Sequence, residues 1–171
     1  KLKFKIISTG SEFTKKHFIN HTNGEYIYNF IKKYGHTVDQ YIHLKDDQNK
    51  IYKEIKNSKS DITIVIGGTG KSKDDINFKD IKLRIDGLDL KPGRPFKFFS
   101  NKSKIFLFFP GNPCSSFVLT NIIVKSIFNY YQNEKTKLDN DIINIKDLRY
   151  DFKNLNRKSF LFALNKKDGI K

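Results

Sequence analysis

Three short glycine-bearing segments each follow an apolar run: Ser8-Thr9-Gly10, Gly67-Gly68-Thr69-Gly70 and Pro110-Gly111-Asn112-Pro113. Glycine lets the backbone approach a ligand closely and present its N–H groups, so such turns suit a phosphate. A helix expected to start at Ser115-Ser116, behind the third turn, would add N–H donors. Its positive dipole end favours an anion by about 0.3–1 kcal/mol. Acidic residues stand near the same turns and strand ends: Glu12, Asp46, Asp47, Asp74 and Asp75. Carboxylates beside a phosphate site usually hold Mg²⁺, which bridges the like charges. The competing explanations are plain ones: each glycine makes a tight turn, and Asp46 or Asp47 caps a helix.

Other reactive side chains point to less. His17, His21, His36 and His43 have no metal-ligand spacing and are expected at the surface. Cys114 stands beside a turn and a helix start, a setting that can activate a thiol. It has no paired base in the sequence and is expected as a small packing residue. Phe96, Phe98 and Phe99 are interrupted by Lys97 and fit a core strand better than a base-stacking platform.

The elements that must position these residues follow from hydropathy. Leu2, Phe4 and Ile6 alternate with lysines and predict a strand that ends at the first turn. Thr22 or Asn23 is placed to cap a helix carrying Tyr26, Ile27, Phe30, Ile31 and Tyr34, with Gly35 as its stop. Val38 to Leu44 reads as a strand, and a helix with Ile51 and Ile55 follows Asp46-Asp47. Ile62–Ile66 and Ile105–Phe109 are short apolar runs of the kind buried on both faces of a parallel sheet. Ile81, Leu83 and Ile85 alternate again, Lys91 to Pro95 breaks the chain, and a helix is expected from about Ser115 to Tyr131. Strands alternating with helices predict an α/β fold with a mostly parallel sheet flanked by helices. In such a sheet the three turns share one edge, where ligands bind. Past Gln132 the pattern changes to a polar linker, Asn133 to Asn140. Strand-like stretches Ile142–Ile145 and Ser159–Leu164 follow and suggest part of a small β-rich domain. The expected division is 1–133 and 134–171.

The 171 residues carry 33 Lys and Arg against 18 Asp and Glu, a net charge of +15. A polyanionic partner is one reading. The composition favours another. Arginine is confined to Arg84, Arg94, Arg149 and Arg157, and alanine to Ala163, as A/T-rich codons would produce. Nucleic-acid recognition usually favours arginine, so no specific nucleic acid is expected. No apolar run approaches the ~18 residues of a membrane span, and no membrane partner is expected. A single cysteine excludes an internal disulfide and fits a reducing compartment, which makes a cytoplasmic location the expectation. The chain starts at Lys1 and contains no methionine, so it is expected to be a piece of a longer protein.

Taken in order, these segments resemble the molybdopterin molybdotransferase family, the MoeA proteins and the E domain of gephyrin. Ile7-Ser8-Thr9-Gly10-Ser11-Glu12-Phe13 is similar to the family's I-S-T-G-[DS]-E-L. Ile19, Thr22 and Asn23 fit its I-x-x-[ST]-N, and Lys45-Asp46-Asp47 fits its acidic pair before a helix. Asp61 through Gly68 with Asp75 resembles its third strand and turn. Lys91-Pro92-Gly93-Arg94-Pro95 is similar to K-P-G-K-P, and Phe109-Pro110-Gly111-Asn112-Pro113 to L-P-G-N-P. Arg157, Phe160, Leu161 and Ala163 resemble the opening of its C-terminal β-domain.

The resemblance implies a molybdopterin-binding α/β domain and insertion of molybdate into adenylylated molybdopterin with release of AMP. Its substrates would be molybdopterin, or its adenylate, and molybdate. Carried over by position, Glu12, Asp46 and Asp75 would be the catalytic and Mg²⁺-binding carboxylates. Gly10, Gly67, Gly68, Thr69, Gly70, Pro110, Gly111, Asn112 and Ser115 would cradle the ligand, with Pro92, Gly93 and Pro95 shaping its pocket. The family's further N-terminal domains would form a homodimer. Gly67-Gly68-Thr69-Gly70 is more similar to the related molybdopterin adenylyltransferases, which makes adenylyl transfer an alternative. The stretch between Asp75 and Lys91 is shorter than the family's by about one helical turn, ~3.6 residues. That motivates a third reading, a catalytically inert molybdopterin-binding or scaffold protein.

Overall fold

The computed structural model describes residues 1–10, 22–45, 47–67, 81–101 and 103–133, with the backbone of 158–159, 165–166 and 169–170. β1 (Lys3–Thr9), α1 (Thr22–Lys33), β2 (Thr37–Leu44), α2 (Gln48–Lys56) and β3 (Ile62–Ile66) come first. β4 (Lys82–Asp86), β5 (Leu90–Lys91), β6 (Lys97–Ser100) and β7 (Ile105–Phe109) follow. One helical run then comprises α3 (Pro113–Leu119), a π segment (Thr120–Val124) and α4 (Lys125–Tyr131). Beyond it the described strands are β8 (Lys158–Ser159), β9 (Asn165–Lys166) and β10 (Gly169–Ile170). The expected strand Ile142–Ile145 lies outside the described residues, as does most of Ser159–Leu164.

The main sheet has the order β2-β1-β3-β7-β6-β4. Its first four strands are parallel, and β6 and β4 close it antiparallel. The expected mostly parallel α/β sheet is therefore observed. Every residue of β3 is buried, as its unbroken apolar run requires in a strand covered on both faces. Alternation divides the core. Phe4, Ile6 and Ile64 pack with Ile27 and Ile31 of α1 and Phe128 of α4, while Ile7 and Val65 pack with Ile51 and Ile55 of α2. Gly35, at φ +78°, ends α1 in the left-handed conformation the sequence reserved for it.

Four expectations need correction. α1 already includes Thr22, so neither Thr22 nor Asn23 is its cap; the Asn23 amide instead donates to the Gly111 carbonyl at 2.7 Å. The long helix begins at Pro113 rather than Ser115, because proline fits a first helical position and Asn112 caps it. His36 is buried, with its ring 4.2 Å from that of Phe128. Cys114 is exposed rather than packed. The helical run is also uneven. Thr120 Oγ1 donates to the Ser116 carbonyl at 2.6 Å and Asn121 Nδ2 to the Phe117 carbonyl at 2.9 Å, at the point where the ladder widens into the π segment.

Candidate functional site

β1, β3 and β7 are adjacent and run the same way, so Thr9-Gly10, Gly67 and Pro110-Gly111 emerge at one edge. From β1 the chain steps to β2 on one side and then crosses back past β1 to β3 on the other. The strand order therefore reverses between β1 and β3, the position at which open α/β sheets bind ligands.

Gly67 is central to this edge. Its N–H donates to the Phe109 carbonyl at 2.9 Å, and its φ is +88°. A side-chain carbon there would fall 2.7 Å from Thr9 Oγ1 and 2.8 Å from the Thr9 carbonyl oxygen. A carbon added to Gly111 would lie 3.7 Å from the Gly67 α-carbon. Two of the three turns are thus in near contact, and the third is held beside them by Thr9 Oγ1, which donates to the Ile66 carbonyl at 3.2 Å.

The Pro110–Pro113 turn is held from two sides. Asn112 Oδ1 accepts from the Ser115 amide at 3.2 Å, and Ser116 Oγ donates to the Pro110 carbonyl at 3.1 Å. Ser115 itself is buried. β6 enters at the same edge, since Lys97 pairs with Phe108, so the turn containing Pro92, Gly93 and Pro95 precedes it there. The Lys91–Pro92 peptide is cis. A carbon on Gly93 would meet Leu119 and Leu90 side chains at 3.3 Å each, so this turn packs against α3.

Glu12, Asp46, Gly68, Thr69, Gly70 and Asp75 lie outside the described residues. Among the described residues no group of three His, Cys, Asp or Glu side chains gathers as a metal site. Asp47 is the N-cap of α2 and accepts from the Lys50 amide at 3.1 Å. That backbone hydrogen bond, more than the Lys50 charge, holds its carboxyl below the usual range.

Sequence spacing missed two features. Ser8 Oγ and His43 Nδ1 are 3.1 Å apart, because the β1–β2 register sets these two residues opposite each other near the strand ends. Only a known strand pairing could have revealed this. The second is a groove of about 270 Å³ between α1 and α3, lined by Thr22, Asn23, Tyr26, Cys114, Ser116 and Phe117 among others.

The family model described as "Probable molybdopterin binding domain" matches residues 5–129. The "Putative molybdopterin biosynthesis protein" of Methanocaldococcus jannaschii is 28% identical over 147 residues, covering 74% of this chain and 37% of that protein. The chain thus spans just over a third of that relative. The molybdopterin biosynthesis moeA protein from Pyrococcus horikoshii superposes with a TM-score of 0.58 at 24% identity, over 80% of this chain and 34% of that one. The tungsten cofactor synthesizing protein MoaB from Pyrococcus furiosus superposes with a TM-score of 0.52 at 18% identity, over 77% of this chain and 96% of that one. At these identities the structural likeness speaks to the fold. Among the described residues no helix is long and apolar enough to cross a membrane.

Proposed function

Because this chain belongs to the molybdopterin-binding domain family, we propose that its carboxyl sheet edge holds the phosphate-bearing end of molybdopterin. The observation that carries this is the convergence of Thr9, Gly67 and Gly111 at the strand reversal. A phosphate needs several N–H donors in a small space, and a carboxylate beside it needs a bridging cation. The glycines at the points of contact leave that space open, and Asn23 ties the Gly111 turn to α1.

In the finer reading, this domain serves a longer protein that inserts molybdate into adenylylated molybdopterin. A molybdate oxygen attacks the adenylyl phosphorus and the anhydride bond to the pterin phosphate breaks, which leaves the adenylyl group on that oxygen; the pterin's dithiolene sulfurs then bond molybdenum as its bond to that oxygen breaks, and AMP leaves carrying the oxygen. Glu12, Asp46 and Asp75 would hold Mg²⁺, which supplies charge neutralisation when bound; this assignment rests on the sequence. The turn N–H groups orient the phosphate and offset its charge. A second reading, adenylyl transfer to molybdopterin, is favoured by Gly67-Gly68-Thr69-Gly70 and by the extent of the P. furiosus likeness. Consumption of ATP, against release of AMP from the adenylated pterin, separates the two.

The test is equilibrium binding of molybdopterin at low and high salt, to wild type and Gly111→Asp. Wild-type binding that survives salt and falls at least tenfold in the variant is expected. Equal binding by both proteins would remove the ligand from this edge.

A further inference from the structure

The last two residues of β1 are anchored to opposite neighbours. Side chains alternate along a strand, so Ser8 shares the α1 face of the sheet with Phe4 and Ile6, and Thr9 takes the other face. Thr9 Oγ1 donates to the Ile66 carbonyl of β3 at 3.2 Å. Ser8 Oγ reaches the other way, to His43 Nδ1 of β2 at 3.1 Å. The register sets Ser8 beside His43 and Thr9 beside Leu44, so the pair stands at the carboxyl edge, immediately before the Thr9-Gly10 turn.

Ser8 is buried and belongs to a longer string. The Tyr41 hydroxyl hydrogen-bonds Ser8 and rests on the first turn of α1, where a carbon added to Gly24 would fall 2.1 Å from it. Burial, and then Glu25, keep that hydroxyl protonated. Tyr41, Ser8 and His43 thus join α1, β1 and β2 directly behind the turn.

This string differs from the one at His36. The partner of His36 Nδ1 is a backbone N–H, which can only donate, so protonation of that ring breaks the bond. The partner of His43 Nδ1 is a hydroxyl, which donates to a neutral ring and accepts from a charged one. When the imidazolium donates, the Ser8 proton turns to the Tyr41 oxygen or to the Ile42 carbonyl 3.5 Å away. Ser8 stays paired in both states, and β1 stays held. Among the described residues, β1 brings no charged side chain to this face. α1 brings Glu25 and Tyr28 near Tyr41, while Lys32 and Lys33 lie in its last turn. On β2, Asp39 accepts from Ser60 toward the amino end, and Lys45 stands just past the strand. Asp47 caps α2 on the opposite face.

We infer that His43 is a positioning residue for the phosphate edge and its proton sensor: through Ser8 it holds the Thr9-Gly10 turn, and its protonated ring strengthens anion binding there. The role depends on the phosphate-edge reading above. Neighbouring strands lie about 4.8 Å apart, which puts His43 on β2 about 10 Å from the Gly67 turn after β3. At that distance a positive charge tightens the binding of a dianion about threefold in partly hydrated surroundings. By reciprocity, the anion draws a proton onto the ring.

Sulfate is the probe, because its charge is constant between pH 5.5 and 8, whereas histidine ordinarily changes charge in that range. Titration calorimetry of the full chain at fixed ionic strength gives the affinity. Repeating it in two buffers of different ionisation heat gives the protons taken up. Gly111→Asp sets the level of generic attraction to lysines. Wild-type binding above that level, tightening about threefold from pH 8 to pH 5.5 with uptake of a fraction of a proton, is expected. His43→Leu, which takes the ring partner from Ser8, should weaken binding at both pH values. His43→Gln, whose amide can donate to Ser8 or accept from it, should restore the affinity at pH 8 but neither the pH dependence nor the proton uptake. If His43→Gln tightens and takes up protons like wild type, or if His43→Leu binds like wild type at both pH values, His43 has no such role and the phosphate edge stands. If wild type binds sulfate no better than Gly111→Asp, the edge reading fails and the role of His43 with it.

Discussion

The Leu2 amide donates to Nδ1 of His36 at 3.2 Å. That bond requires an unprotonated Nδ1, so the proton of neutral His36 sits on Nε2, which is buried without a partner among the described groups. Phe4, Phe128 and Tyr131 surround the ring, and the Lys1 side chain places a positive charge nearby. Burial first, and the Lys1 side-chain charge after it, push the His36 pKa below its ordinary value. In the unfolded chain His36 binds a proton more readily than in the folded one. Its contribution to stability is therefore complete above about pH 6.5 and is lost as pH falls through that value toward the lower folded pKa. Urea unfolding at pH 7.5 and 5.5 should show a lower midpoint at the acidic pH, and His36→Leu should shrink that difference. An unchanged difference in the variant would place the pH sensitivity elsewhere.

Gly67 and Gly35 both have positive φ, but their surroundings differ. A carbon on Gly35 meets nothing within 4 Å, whereas one on Gly67 meets Thr9 backbone. Gly35→Ala should cost only the left-handed strain, about 1 kcal/mol. Gly67→Ala adds a clash that no flexible side chain relieves and should cost about 3 kcal/mol or more. It should also abolish ligand binding, while Gly35→Ala leaves binding intact. Chemical denaturation and dialysis of the two variants side by side check both statements.

The contrast between these glycines shows what could be read from sequence. Ile62–Ile66 and Ile105–Phe109 announced buried strands because their apolar runs had no alternation. Two of the glycine turns announced themselves because each followed such a run, and Ser8-Thr9-Gly10 because it ended an alternating one. Long-range pairing was not legible. Ser8 and His43 are 35 positions apart and meet only through strand register. The polarity of β6 was hidden too, since Lys91 to Pro95 read as a break and not as a turn entering an antiparallel strand. Pro113 read as part of the turn when it was a first helical residue. His36 was expected at the surface because it lacks metal-ligand spacing, but Phe128 of α4 covers it.

Lys5 is buried on the α2 side of the sheet, and its ammonium lies 2.6 Å from Glu54 Oε2 and 3.2 Å from the Glu54 carbonyl. Removing the partner of a buried charge costs about 3–5 kcal/mol in general. Here Glu54 is 39% exposed, so water reaches the pair and the loss in Glu54→Ala should be smaller, about 1–2 kcal/mol. Lys5→Met removes the charge and keeps a buried apolar stem, and should be less damaging than Glu54→Ala. The reverse order in urea midpoints would mean that the ammonium itself stabilises the sheet.

Gly24 lies in the first turn of α1, where glycine costs about 1 kcal/mol relative to alanine. Its presence is explained by Tyr41, whose hydroxyl oxygen would stand 2.1 Å from a carbon added to Gly24. The Tyr41 hydroxyl also hydrogen-bonds Ser8, while burial and then the nearby Glu25 raise its pKa. Gly24→Ala should therefore destabilise the protein by about 1–3 kcal/mol despite its better helix propensity, by driving Tyr41 off Ser8. Tyr41→Phe removes the closest atom but leaves ring carbon 2.6 Å away, so the double variant should recover part of the loss and not all of it. A double-mutant cycle in urea measures the coupling. Strict additivity of the two substitutions would show that Tyr41 is not what Gly24 makes room for.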